Sequence, residues 1–140
     1  MNINSLDRFV EAQEAMYPMA LDEIKKGCKC THWIWFVFPQ LRGLGYSRKS
    51  YEYGISGIDE VEAYLTHPLL SKRLYEITEA LLEHKDKDIN DIMGEVDAMK
   101  LKSSMTLFGL VSEKDSVFNQ VLECFYGGEK DKATLRMLGL

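Results

Sequence analysis

The amino-acid sequence predicts an all-α fold, a compact single-domain bundle of about seven to nine short helices over residues 1–140. Three observations carry this. Apolar residues recur at helical spacings of three and four along most of the chain. Prolines and glycines fall where such segments start and stop. Strand-favouring residues gather in one short stretch, Trp33 to Phe38, which has no evident partner, and lone strands are not stable.

The elements follow in order. Leu6, Phe9, Val10 and Gln13 have helical spacing after Asn4 and Ser5, either of which can cap the first amides. Pro18 suits the first turn of a second helix carrying Leu21 and Ile24, which Gly27 would end in a left-handed conformation. Thr31 is placed to cap a buried helix over the aromatic block, ending before Pro39. Ser47 to Tyr53 reads as a short helix between glycines, and Ile58 to Leu65 as another with Asp59 and Glu60 at its positive end. The clearest helix starts at Pro68, where Leu70, Leu74, Ile77 and Leu81 line one face and Lys72, Arg73, Glu76 and Glu79 take the others. A polar stretch from His84 to Asn90 breaks the pattern. Val96 to Val111 is apolar on more than one side and is expected to be largely buried. Val117, Val121, Leu122 and Phe125 form a further helix closed by Gly127 and Gly128, and Thr134 to Leu138 adds a last short one.

Composition narrows the function classes. The 140 residues carry 17 Lys and Arg against 22 Asp and Glu, a formal charge of −5. A chain of that sign has no general attraction for nucleic acid or an anionic membrane, so either partner would need a local basic patch. The longest apolar run, Trp33 to Phe38, falls far short of the roughly 20 residues that span a bilayer. The start, Met1 to Asp7, has neither the basic nor the apolar segment of a signal peptide, which predicts the cytoplasm. The three cysteines, Cys28, Cys30 and Cys124, are an odd set that fits reduced thiols better than a disulfide framework. A monomer or weak oligomer is expected.

Several groups of residues bear on chemistry. Cys28, Cys30 and His32 alternate and are zinc-type ligands. Their spacing does not match structural zinc sites and the fourth ligand is missing, so no metal and no cofactor is predicted. Trp35, Phe36 and Phe38 are expected in the core, since large aromatics dominate small cores. His32 and Trp33, at the start of the block, are open to a second role, as a general base and a stacking face. On the helix through Lys100, the side chains of Lys102, Ser103 and Thr106 share one side, with Met99 adjacent and Gly109 further along. Lysine and hydroxyls in an apolar helix must be paired. They form either a buried ion pair with hydroxyls bonded one turn back, or an anion pocket. Arg42, Arg48 and Lys49 surround Gly43-Leu44-Gly45, whose amides could join such a pocket, although no nucleotide-binding string is present. The acids Asp86, Asp88, Asp91, Glu95 and Asp97 lack the spacing of a calcium loop and read as a solvated segment. No nucleophile motif appears.

Two blocks are distinctive: His32-Trp33-Ile34-Trp35-Phe36-Val37-Phe38-Pro39-Gln40 with Gly43-Leu44-Gly45, and Lys100-Leu101-Lys102-Ser103-Ser104-Met105-Thr106-Leu107-Phe108. Together with Tyr53-Gly54-Ile55, Ala63-Tyr64-Leu65, His67-Pro68, Thr134-Leu135 and Leu138-Gly139, they make the chain resemble a family of small bacterial proteins known as domain of unknown function 1810. The resemblance covers nearly the whole chain and implies an all-helical domain, with no activity, substrate or cofactor attached. Members are sometimes mislabelled calpastatin. That label does not suit this chain, since calpastatins are disordered and proline-rich. Cys28 and Cys30 lie outside the family pattern.

These readings give two expectations of different classes. One is a domain that binds a small anionic, nucleotide-like ligand. Trp33 would offer a flat face, Lys100 and Lys102 charge, Ser103 and Thr106 hydrogen bonds, Arg42 a rim and His32 a proton. The other is a protein-interaction domain without catalytic activity. Convergence of His32, Arg42 and the Lys100–Thr106 side on one cleft separates them.

Overall fold

The computed structural model describes residues 5–140. Its centre is a helix buried on every side along its second half. Glu95–Leu110 buries Ala98, Leu101 and every residue from Ser103 to Gly109, while Val96 and Met99 in its first turns stay exposed. In chain order the helices are α1 (Asp7–Lys26), α2 (Ile34–Val37), α3 (Arg48–Glu52), α4 (Ile58–Thr66), α5 (Pro68–Leu82), α6 (Ile89–Met93), α7 (Glu95–Leu110), α8 (Val117–Tyr126) and α9 (Lys132–Met137). Helix α7 packs against α2, α6, α8 and α9, while α5 bridges α1, α4 and α8. The fold is all-α, and the buried residues form one contiguous cluster. Rings link its parts: Phe9 meets Tyr64 edge-on at 5.2 Å, Tyr64 meets Phe108 at 5.2 Å, and Phe108 meets Phe118 at 5.7 Å. No helix among the described residues is long and apolar enough to cross a membrane.

Helix α5 buries Leu70, Leu74, Ile77 and Leu81, the stripe its spacing predicts. Its start is more specific than proline alone: His67 Nδ1 accepts from the amides of Leu69 and Leu70, both at 3.2 Å. Ser47 and Asp88 cap α3 and α6 in the same way. The polar stretch before α6 thus ends in an apolar anchor of Ile89, Ile92 and Met93 that the sequence reading did not separate from the solvated acids.

Two local expectations are corrected. Pro18 does not begin a second helix but lies inside α1. The buried face of Phe9, Gln13, Tyr17, Ala20 and Ile24 runs straight through it, and the proline is on the exposed side. Burial on both sides of the proline outweighs the missing amide. The helix ends at Gly27 in the left-handed conformation, φ 79°, as expected. Of the two caps expected at its start, Asn4 lies outside the described residues, and Ser5 Oγ accepts from the Asp7 amide at 3.1 Å. Thr31 does not cap the aromatic helix. Its hydroxyl donates to Glu23 Oε2 at 2.6 Å, and α2 is a single turn without a side-chain cap.

Two tertiary ties place the segment from Gln40 to Ile55. Leu41 and Ile55 form an isolated parallel bridge, in which Ile55 N donates to Gln40 O at 2.9 Å and Arg42 N to Ile55 O at 2.8 Å. The close approach needs Gly54, where a Cβ would come within 2.6 Å of Arg42 Cα. The second tie is Arg8, fully buried on α1. Its guanidinium is bidentate to Glu60 at 2.9 and 3.0 Å and donates to the carbonyls of Ser5, Glu52 and Gly54 at 2.7 to 2.8 Å. All five N–H groups are satisfied.

Candidate functional site

With the Gln40–Ile55 segment fixed, α2, α3 and α7 converge around Trp35. Its indole is half-buried against the core, and its buried Nε1–H has no hydrogen-bond partner among the described residues. Two ammonium groups from different elements stand over the ring: Lys49 of α3 at 5.5 Å and Lys100 of α7 at 5.2 Å from its centroid. Neither lysine has an ion pair among the described residues. Beneath them lies a cavity of about 10 Å³, room for one water, lined by Trp35, Gln40, Ser50, Tyr53 and Lys100 among others. Gln40 and Lys100 also line a groove of about 260 Å³ that runs past Leu44, Val96, Met99, Ser103 and Ala133 to Asp131. The site has a positive, donor-rich end and an apolar wall. A carboxylate stands at its far end, with Oδ2 capping α9 through Thr134.

Ser104, one turn beyond Lys100 on α7, adds a second buried polar group without a partner among the described residues, its hydroxyl. An unmet N–H and an unmet hydroxyl near one helix are unusual, because an unsatisfied buried group costs about 1–3 kcal/mol. Other surface hollows mix their charges: Lys25 faces Glu76, Glu79 and Glu83 in one, and Lys114 and Lys130 share another with Glu123. Among the described residues, only the Trp35 ring lies under two lysines, and one of them, Lys100, also lines the groove. The polar side chains that line the cavity and the groove are Gln40, Ser50, Tyr53, Lys100, Ser103 and Asp131.

The family model described as "Protein of unknown function (DUF1810)" matches residues 3–138. The chain belongs to this family. A crystal structure of the conserved hypothetical protein Rv1873 from Mycobacterium tuberculosis shares 42% identity with this DUF1810 chain. The similarity covers 99% of each chain with a TM-score of 0.94, so the architecture above is common to both. Among curated proteins nothing matches.

The structure of this DUF1810 protein brings together only some of the residues singled out from sequence. Lys100 and Ser103 line the groove, although the Ser103 hydroxyl donates to Met99 O at 3.2 Å. The expected cleft joining Trp33 to the Lys102–Thr106 side is not there. Trp33 is fully buried, and its Nε1–H donates to Glu23 at 3.0 Å. The two tryptophans exchange their expected roles, because the single turn of α2 begins after Trp33 and presents Trp35 outward between the lysines. Thr106 is buried, its hydroxyl accepting from the Asp131 amide at 2.9 Å, so it anchors the approach to α9. Arg42 donates to Tyr51 O at 3.0 Å and lies over the Tyr51 ring, off the groove lining. His32 is exposed and does not line the groove either.

Lys102 is a further correction. It is paired with Glu129 and lies 5.8 Å from the Tyr126 ring centre, rather than in a buried ion pair or an anion pocket. The lysine holds the Glu129 carboxyl below its ordinary value through their hydrogen bond and charge. Glu129 is 60% exposed, and pairs so open to solvent contribute little. Lys102→Met is therefore expected to leave the thermal midpoint nearly unchanged and the groove untouched. A large drop in the midpoint would show that the pair holds the α7–α9 region together.

Proposed function

We propose that the groove beside Trp35 binds a small anionic ligand with an apolar or flat portion, nucleotide-like in its division into charge and surface. The observation that carries this is the pair of ammonium groups, Lys49 and Lys100, held over one indole whose N–H lacks an acceptor. An anion at the groove mouth would sit beside the ammonium groups, with a water in the small cavity carrying the contact to the buried indole N–H, which supplies a local attraction that the net charge of −5 does not. Leu44, Val96, Met99 and Ala133 would take the apolar portion, and Asp131 a hydroxyl or amine at the far end. The role is binding without assigned catalysis, by a monomer or weak oligomer. Three exposed free cysteines support a reducing compartment such as the cytoplasm.

The test is a ligand panel of nucleoside mono- and diphosphates, sugar phosphates and inorganic phosphate, read by calorimetry and by the Trp35 indole proton in NMR. At least one organic phosphate should bind and move that proton. Trp35→Phe, which keeps a ring but removes the donor, and Lys100→Gln should each weaken binding by about tenfold or more, the worth of one charge-assisted hydrogen bond. Failure of the whole panel, or binding that both variants retain, overturns the reading. The exposed Val96 and Met99, 66% and 71% accessible, are the feature that favours a protein partner instead.

A further inference from the structure

A second site lies away from the groove, in the turn that follows α1. Cys28 and Cys30 are both exposed, and their sulfurs stand 4.0 Å apart. That is about twice a disulfide bond length, and inside the roughly 4.6 Å that two opposed metal–thiolate bonds of about 2.3 Å would span. The arrangement is built into the backbone. Cys28 N donates to Glu23 O at 3.1 Å and Lys29 N to Ile92 O at 2.7 Å. Cys30 N and Thr31 N donate to Glu23 Oε1 at 2.7 and 3.0 Å. Lys29, between the cysteines, turns inward: its side chain is 4% exposed, its ammonium pairs with Asp97 at 2.7 Å, and it lies over the Trp33 ring. With Lys29 locked inside, the extended chain carries both thiols on the outer side.

We propose that Cys28 and Cys30 form a preorganised two-thiolate site for Cu(I). The choice of ion follows from the donor set. Soft thiolates select Cu(I), zinc or iron–sulfur clusters, and structural zinc and the clusters require four protein ligands. Among the described residues no group of three or more His, Cys, Asp or Glu side chains is placed to hold a metal, so His32 does not complete a larger set. A monovalent ion content with two sulfurs is what remains. Binding is proton exchange without redox: each thiol loses its proton, two copper–sulfur bonds form, and the site becomes a bis-thiolate of net charge −1.

The experiment is an anaerobic titration of the reduced full chain with Cu(I), in competition with a chromogenic Cu(I) chelator, followed by X-ray absorption at the copper edge. One equivalent should bind per chain, in a shell of two sulfurs. Cys28→Ser and Cys30→Ser should each weaken binding by roughly a hundredfold or more, since each removes half of the soft donor set. Cys124→Ser should change nothing. Because both thiols are exposed, the variants should keep the wild-type circular dichroism and thermal midpoint, which separates lost binding from lost folding. An equivalent of copper retained by the Cys28→Ser/Cys30→Ser double variant would overturn the proposal. So would one copper shared by two chains, or zinc binding of similar strength.

Discussion

Replacing Arg8 by methionine is expected to lower the free energy of unfolding by about 3–5 kcal/mol, the penalty of breaking a buried ion pair by removing one partner. The side chain of Arg8 is wholly inaccessible and that of Glu60 is 9% exposed. Losing the guanidinium strands a carboxylate and the carbonyls of Ser5, Glu52 and Gly54 together. Domains of this size are stable by roughly 5–15 kcal/mol, so the loss is a large fraction of the total. Arg8→Lys should rescue little, because a lysine has three donors where five acceptor contacts are made. Burial by itself would raise the Glu60 carboxyl; its bonds to Arg8 and to the Ser56 amide outweigh this and leave it below the usual range. A lowered carboxyl contributes stability above its unfolded pKa that is lost as pH falls through the folded one, so the gap between wild type and variant should narrow in acid. Denaturant midpoints across pH check both statements. Equal midpoints at neutral pH would sink the claim. Part of the effect reaches the candidate site, because the Glu52 and Gly54 carbonyls flank Tyr53 in the cavity wall.

What the sequence made legible follows from the range of the forces involved. The stripe of α5, an α7 apolar on more than one side and the glycine after α1 are local patterns, and the structure reproduces them. Arg8 was not legible because its partner Glu60 lies 52 residues away, and nothing local marks an arginine beside Phe9 as buried. Pro18 misled because its local preference is weaker than the packing of Tyr17 and Ala20 on either side. At the candidate site the sequence supplied Lys100 and Ser103 but assigned the wrong tryptophan to the surface. Propensity and aromatic content treat Trp33 and Trp35 alike. What separates them is a carboxylate waiting at Glu23 for one indole, and lysines from α3 and α7 over the other. Both are tertiary facts: the sequence set Lys49 beside the Gly43-Leu44-Gly45 loop, and nothing local places it over an indole.

Glu23→Gln should destabilise the fold by about 3 kcal/mol at neutral pH, in proportion to how far its carboxyl is displaced. Burial alone would raise that carboxyl. The Thr31 hydroxyl, the Cys30 and Thr31 amides and the Trp33 indole all donate to it instead, and they hold it at about 2. A glutamine keeps one acceptor oxygen and sets an NH₂ group against at least one of these donors. The sign of the pH effect follows from the lowered value. The stabilisation is complete above the ordinary carboxyl range near 4.5 and disappears as pH falls toward about 2. Wild type and variant should therefore differ most at pH 6–7 and converge only as pH falls to about 2. The difference between the two denaturation curves isolates Glu23 from Glu60 and the other acids that titrate in the same window. A constant difference from pH 7 to pH 2.5 would mean that lost packing, not the charge, explains the variant. The same substitution removes the charge from the oxygen that accepts the Cys30 and Thr31 amides, so it should also weaken Cu(I) binding at the Cys28–Cys30 pair without touching either sulfur. Unchanged copper affinity in a folded Glu23→Gln protein would show that the thiols do not depend on the Glu23 clamp for their placement.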